Sequence, residues 1–357
     1  MDREKDAMGM LDLMVSPVFC VKDGKIVKCN AAAQSLLLRE GMDIESLLVT
    51  GQTEYAEFSE GCLYLTLEIS GVRMGVSVTR VGDFHVFLPE EDGDQAQLQA
   101  IALAARELRV PLTGIMTTAD RLFPVSALQE DPELREQVAR MNRGLYQMLR
   151  IIGNMSDAGR YTAAVPTMET LDITGFLQEI FHRARELVSH AGISLHFENL
   201  PHSLYMLADS EKLERAVMNI LSNAMKFTPA GGRIDAKLLR RGNWLYLTVS
   251  DSGEGVPDAL RSSLHRRWQR QPGLEDNRFG IGLGMVLIRS AAASHGGAVL
   301  IDHPEGCGTR ITMTLAIRQN NSGNVRSPML RIDYTGERDH SLIELADILP
   351  ASLYENV

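Results

Sequence analysis

Apolar and polar residues follow three successive rhythms along the chain, and each predicts a different set of elements. Up to about residue 90 the apolar residues come in short runs. Val15–Val21 and Lys25–Cys29 flank Asp23-Gly24, which predicts a tight hairpin, and Asn30 is placed to cap a short helix over Ala31–Leu38. Three further strand-like runs, Gly61–Ile69, Val72–Thr79 and Phe84–Leu88, are separated by Ser70-Gly71 and Gly82-Asp83. The acidic stretch Glu90–Asp94 reads as a break after this unit.

The rhythm then becomes helical. Leu98, Ile101, Ala105, Leu108, Leu112, Ile115, Ala119 and Leu122 keep alternating spacings of three and four, and Leu134, Val138, Met141, Leu145, Met148, Ile152 and Met155 repeat the pattern. Phe123-Pro124 and Asp131-Pro132 break and restart the helix between them. The predicted helical hairpin carries more apolar seam than it can cover by itself. A homodimeric four-helix bundle is the natural burial, and packing on another domain is the alternative.

From residue 166 to 317 strands and helices alternate. Strands are predicted near Glu169–Ile173, Ile193–Glu198, Arg233–Arg240, Trp244–Asp251, Ala298–Asp302 and Thr309–Ala316, with helices over Gly175–His190, Ser210–Phe227 and Met285–His295. Helices on one face of a mixed sheet are the α+β expectation. The chain is therefore predicted to be multidomain α+β, with boundaries at 1–90, 91–162, 163–318 and a tail over 319–357.

Length and charge narrow the picture. The 357 residues suit two or three domains, at roughly 100–200 residues each. A net charge of −10 argues against nucleic acid or an anionic membrane as a general partner. Cys20, Cys29, Cys62 and Cys307 are scattered without zinc or disulfide spacing. The charged N-terminus MDREKDAMGM is unlike a signal peptide, and no apolar run approaches the roughly 20 residues of a membrane span. A cytoplasmic location is the expectation.

Candidate chemistry lies in three patches. On the helix Ser210–Phe227, begun after the capping residue Asp209, Asn219, Asn223 and Lys226 form a polar stripe beside the apolar one. Amide oxygens suit Mg²⁺ and an ammonium suits phosphate, although a solvated helix face has the same look. On Trp244–Asp251, period-two alternation points Asp251 the same way as Leu245, Leu247 and Val249. A carboxylate so placed needs donors, and an adenine amino group is one, while Gly253 and Gly255 in the following Ser-Gly-Glu-Gly leave the backbone free to turn closely. A simple strand-ending turn is the alternative there. Gly280, Gly282 and Gly284 lead into an apolar helix, whose N-terminus favours phosphate.

In this order the three patches resemble the nucleotide-binding boxes of the sensor histidine kinase family, part of the ATPase group that includes gyrase and the Hsp90 chaperones. The resembling stretches are Glu214 to Thr228, Asp251 to Gly255 and Phe279 to Gly284. With the hairpin, the resemblance covers roughly residues 95–317. It implies a Bergerat-type α/β sandwich binding ATP and Mg²⁺. By family analogy Asn223 ligates Mg²⁺, Asn219 lies beside the γ-phosphate, Lys226 touches phosphate, Asp251 holds adenine, and the glycines frame an ATP lid. That lid departs from the family, with His265 and Trp268 near positions usually held by Phe. Arg261, Arg266, Arg267 and Arg270 around Trp268 are accounted for by a triphosphate more simply than by nucleic acid. The first unit, two strands, a helix and three strands, resembles a PAS-type sensor domain.

The hairpin box Ala105-Arg-Glu-Leu-Arg-Val-Pro-Leu-Thr113 resembles the family's phosphoacceptor motif, with Arg106 at the histidine's place. A guanidinium stays protonated, with a pKa above about 12, and is a poor phosphoryl acceptor. No histidine lies between Glu91 and Tyr161 to replace it. Val110 stands where the family has a polar residue that helps dephosphorylate a response regulator, while Glu107, the expected partner of the lost histidine, remains.

The resemblance thus implies a two-component protein that binds ATP without labelling itself and acts as a regulator or scaffold, with a response regulator or a partner histidine kinase as its counterpart. Two alternatives stay open. The chain is a kinase for the histidine of a partner chain, since nucleophile and ATP site need not share a chain, or it is an interaction module with a vestigial nucleotide site. The tail, with a strand expected over Met329–Tyr334 and a helix over Asp339–Leu349, is expected to dock back on the catalytic region rather than to receive a partner.

Overall fold

The computed structural model describes residues 11, 14–90, 92–124, 128–129, 131–163, 165–255, 283–304, 306, 308–319, 325–326 and 339–355. The N-terminal unit forms β1 (Phe19–Lys22), β2 (Lys25–Cys29), helix α1 (Ala31–Ser35), helix α2 (Gln52–Ala56), β3 (Cys62–Ile69), β4 (Val72–Val81) and β5 (Phe84–Pro89). Asp23 and Gly24 both take positive φ in the β1–β2 turn, as do Ser70 and Gly71 between β3 and β4. The turn chemistry that defined these hairpins in sequence is thus used as expected. Asn30 caps α1 by accepting from Ala33 N at 2.9 Å. The helix stops at Ser35, short of the expected Leu38, because Leu37 turns left-handed (φ 67°) and delivers Leu38 into the core.

Two long helices follow, α3 (Asp92–Leu122) and α4 (Pro132–Ala163), packed against each other. The acidic stretch Glu90–Asp94 is therefore largely the start of α3 rather than a break. Acidic residues at a helix N-terminus are favoured by its dipole. α3 runs through Pro111.

The remaining elements are β6 (Glu169–Asp172), α5 (Ile173–His190), β7 (Ser194–Glu198), β8 (Tyr205–Ala208), α6 (Ser210–Phe227), β9 (Arg233–Arg241), β10 (Trp244–Asp251), α7 (Leu283–Ser294), β11 (Val299–Asp302), β12 (Arg310–Ala316), β13 (Val325–Arg326) and α8 (His340–Glu344). β8 was not foreseen. It joins β6 and β13 in a small second sheet. The strand expected over Met329–Tyr334 lies outside the described residues.

The main sheet has the order β2-β1-β5-β4-β3-β11-β12-β10-β9-β7. Among the described residues its ten strands make nine pairings, of which only that of β7 with β9 is parallel. The first five strands belong to the N-terminal unit and join the rest through β3 and β11, in register Cys62↔Ile301, Leu63↔Leu300, Tyr64↔Val299. Gly61 stands at this seam with φ 93°, where a Cβ would lie 2.2 Å from the Ile301 carbonyl oxygen. Arg289 of α7 reinforces the seam, its guanidinium 4.0 Å from the Tyr64 ring centre and 3.2 Å from Glu90. Among the described residues no helix is long and apolar enough to cross a membrane. Cys20, Cys29 and Cys62 are buried and form no disulfide among the described residues, and burial pushes each thiol up to about 11. Cys307 lies outside the described residues.

Candidate nucleotide-binding site

α6 organises the site. Asp209 begins it, accepting from Lys212 N at 3.1 Å, and is itself fixed by its backbone N–H, which donates to His295 Nε2 at 3.0 Å. His295 Nδ1 lies 2.7 Å from the Ala291 carbonyl, so the buried ring is a neutral bridge between the end of α7 and the start of α6. Burial lowers its pKa, in keeping with that state. The apolar stripe of α6, including Leu213, Val217 and Ile220, is buried over β10, whose Leu245, Leu247 and Val249 share its core.

Asp251 ends β10 on that same buried face, 5 % exposed. Its Oδ1 accepts from Gly253 N at 2.9 Å and Thr309 N at 3.1 Å. Burial raises its pKa, and the two backbone donors oppose that rise. Both donors meet one oxygen, Oδ1.

Close backbone approach explains the glycines. A Cβ on Gly253 would lie 2.0 Å from the carbonyl oxygen of Phe227, the last residue of α6. The Asp251 turn is thereby seated on the C-terminal end of α6, one helical turn beyond Asn223. Gly255 takes φ 75°. At the other end of the site Gly284, in the first turn of α7, brings its backbone so near α6 that a Cβ would sit 2.6 Å from Asn219 Oδ1. Asn219 is buried and donates from Nδ2 to the Arg215 carbonyl at 2.8 Å. Asn223 is half-buried, and its carboxamide makes no hydrogen bond among the described residues. The strand, helix and glycine patches therefore gather around α6. Gly280, Gly282, His265, Trp268 and the lid arginines lie outside the described residues.

Lys226 does not stand open to solvent. Its ammonium meets Asp347 of the tail at 2.8 Å. Burial lowers the Lys226 pKa, with Arg150 adding to the effect and Asp347 opposing it. Arg215, overlooked in the sequence, extends the stripe of Asn219, Asn223 and Lys226 by one turn at the same spacing of four, which was the signal available for it. It pairs with Asp157 of α4 at 2.9 Å and with Glu344 of α8. Gly308 was overlooked as well, and a Cβ there would lie 2.1 Å from Asp251 Oδ1. Its signal was the Gly-Cys-Gly-Thr stretch leading into β12.

On the hairpin, Arg106 and Glu107 are exposed, and Val110 is exposed beside them. No group of three or more His, Cys, Asp or Glu side chains among the described residues is arranged to hold a metal.

The family described as "His Kinase A (phospho-acceptor) domain" matches residues 96–164, and "Histidine kinase-, DNA gyrase B-, and HSP90-like ATPase" matches residues 208–319. Histidine protein kinase DivJ of Caulobacter vibrioides is 30% identical over 241 residues, covering 63% of this chain and 40% of DivJ. Hybrid signal transduction histidine kinase D of Dictyostelium discoideum is 28% identical over 243 residues, covering 64% of this chain and 15% of that protein. Histidine kinase P4 of Formosa agariphila is 24% identical over 262 residues, covering 71% and 19%. The chain thus spans less than half the length of these relatives. Among solved structures, full-length ShkA with AMPPNP aligns at TM-score 0.49 and 23% identity, covering 62% of this chain and 46% of that one. Histidine kinase ThkA in complex with response regulator TrrA aligns at TM-score 0.44 and 15% identity, covering 85% and 96%. With both matches falling in order along one chain and the relatives agreeing, this protein is a homologue of the sensor histidine kinases and belongs to their signalling family, joining a phospho-acceptor-type hairpin to a HATPase_c-type ATP-binding region.

Proposed function

We propose that the chain is an ATP-binding regulator or scaffold of two-component signalling whose hairpin accepts no phosphoryl group. Residues 1–90 are read as a PAS-like sensor, 91–162 as the dimerisation hairpin, 163–318 as the ATP-binding region and 319–357 as an extension. The observation that carries the reading is the seating of Asp251 on the end of α6. A buried carboxylate with both of its backbone donors on one oxygen has the other directed at a donor such as an adenine amine. Asn219 against Gly284, with Asn223 one turn on, then falls where phosphate and Mg²⁺ would follow the base. In that role Asn223 would supply an amide oxygen to Mg²⁺, which when bound would offset phosphate charge. The strand order β2-β1-β5-β4-β3 of the N-terminal unit supports the sensor reading.

Arg106 sits exposed at the acceptor position, permanently charged and without a nucleophilic lone pair. Val110 cannot hold a water for dephosphorylation. Glu107 has lost the imidazole it would orient. The test pairs binding with labelling. Mg-ATP titrated calorimetrically into the full chain is expected to bind saturably, and Asp251→Asn to weaken it at least tenfold. With γ-labelled ATP, the wild type is expected to stay unlabelled and Arg106→His to acquire acid-labile phosphate. Absence of saturable binding in the wild type, or acid-labile label on it, would overturn the reading. The second reading, transfer to the histidine of a partner kinase, is favoured by Asn219 lying beside the glycine turn. Acid-labile label on a partner whose own ATP site is disabled distinguishes it.

A further inference from the structure

The C-terminal segment 339–355 is a built part of the molecule. Asp339 caps α8 by accepting from Ser341 N at 2.8 Å, and Ile343, Leu345, Ala346, Leu349 and Tyr354 are buried in the main core. One face of α4 reads its backbone. Arg143 donates to the carbonyls of Ala346 at 3.1 Å and Asp347 at 2.8 Å, and Asn142 donates to that of Tyr354 at 3.0 Å. The Tyr354 ring lies edge-on to Tyr146. Two carboxylates of the segment then enter the space between α4 and α6. Glu344, fully buried, binds Arg215 and lies 3.8 Å from Arg150. Asp347 binds Arg150 and, at 2.8 Å, Lys226.

We propose that this acidic segment is an intrachain competitor of the nucleotide's phosphates, occupying α6 through Asp347 and Glu344 and clasping the hairpin to the ATP-binding region until it is displaced. The inference rests on the ATP reading above. Two arginines and a lysine gathered around two carboxylates form a site of the kind that phosphate oxygens also satisfy, since guanidinium and ammonium groups bind both. With the segment withdrawn, Arg215 keeps Asp157, whereas Arg150 and Lys226 lose the Asp347 carboxylate, whose place a polyphosphate would take. Lys226 cannot serve Asp347 and a phosphate at full strength together. ATP binding is therefore reduced by the fraction of molecules in which the segment is docked. Adenosine, which needs only the Asp251 end of the site, escapes the competition.

The experiment uses the full chain, wild type and Asp347→Asn, titrated with Mg-ATP and with adenosine. Asp347 is chosen because it is partly exposed, so that its amide is tolerated where a change at Glu344 would strand two buried arginines. The expected result is about tenfold tighter Mg-ATP binding in the variant, with adenosine affinity unchanged. A second measurement needs no variant: amide hydrogen exchange over residues 340–354 of the wild type is expected to speed up with Mg-ATP and not with adenosine. Equal Mg-ATP affinity in the two proteins, or exchange in 340–354 that slows on adding Mg-ATP, overturns the clasp while leaving the ATP site standing. If neither protein binds adenosine or Mg-ATP, the ATP reading itself fails and the clasp fails with it.

Discussion

The hairpin leaves five of the fifteen residues of its apolar seam exposed, and the exposed ones recur regularly. On α3, Leu98, Ala105, Leu112 and Ala119 are buried at seven-residue intervals, while Leu108, Ile115 and Leu122, also seven apart, keep 49, 54 and 66 % of their surface exposed. On α4, Val138, Leu145 and Ile152 are buried, and Met141 and Met148 stay exposed. Two heptad series on one helix, one satisfied within the chain and one not, predict a second copy of the hairpin on the open side. Full burial of such a side chain is worth roughly 1.5–3 kcal/mol, so covering the half that remains gives roughly 1 kcal/mol each. Five residues on each of two copies give roughly 10 kcal/mol, set against roughly 4–15 kcal/mol for association. The balance is close enough for one charge to tip it. Ile115→Glu removes roughly 2 kcal/mol of burial from the pair and adds two carboxylates to be desolvated at a few kcal/mol, weakening the dimer roughly a thousandfold. Val110→Glu is the control, because at about 100° per residue Val110 lies on the opposite side of α3 from Ile115. Sedimentation equilibrium over a dilution series should show wild type and Val110→Glu dimeric and Ile115→Glu monomeric. A monomeric wild type, or an Ile115→Glu protein that dimerises like it, would refute the reasoning.

Two further outcomes follow from the site. Gly253→Ala forces a methyl to 2.0 Å from the Phe227 carbonyl; it should cost about 1–3 kcal/mol in denaturant unfolding and abolish nucleotide binding, whereas Gly114→Ala, in α3 with nothing within 4 Å, should stabilise by about 1 kcal/mol. Glu214 is pushed up to about 7 by burial, with Arg215 opposing and Glu344 adding to the rise. Its folded pKa lies above its unfolded one, so the proton is held preferentially in the fold and stability falls as pH climbs from about 4.5 to 7, by about 3 kcal/mol in all. Glu214→Gln should therefore raise the melting temperature relative to wild type progressively from pH 5 to 8, and a constant difference across that range would count against the assignment.

What could be read from the sequence was whatever a local period carries. The stripe of Asn219, Asn223 and Lys226 follows from helical geometry, and the inward aim of Asp251 from strand alternation. The turns at Asp23-Gly24 and Ser70-Gly71 follow from the residues that tolerate positive φ. The joining of β3 to β11 had no such signal, because strand pairing across more than two hundred residues is decided by shape and edge rather than by neighbours in the chain. β8 was too short for its alternation to stand out from the loop around it. The docking of the tail was expected only in general terms. Its partners, Arg215 for Glu344 and Arg150 for Asp347, are separated from it by 129 and 197 residues, and in sequence each looks like an ordinary solvated charge.

The network these charges form is more informative about regulation than about stability. Removing Arg150, Arg215, Glu344 and Asp157 from water costs several kcal/mol per ion, and pairing them only recovers what burial took away. An apolar contact of the same volume would hold α4, α6 and the tail together at least as well. What it would not provide is a contact that another anion can replace. Asp347 illustrates the point: burial alone would raise its pKa, yet Arg150 and Lys226 outweigh that effect and hold it below the ordinary carboxylate range, so it stays charged wherever the tail is docked. On the clasp proposed above, this carboxylate, held ionised against Lys226, is the group that phosphate replaces. Because the same residue also binds Arg150 of α4, exchange would in the same step break one of the links between the tail and the hairpin.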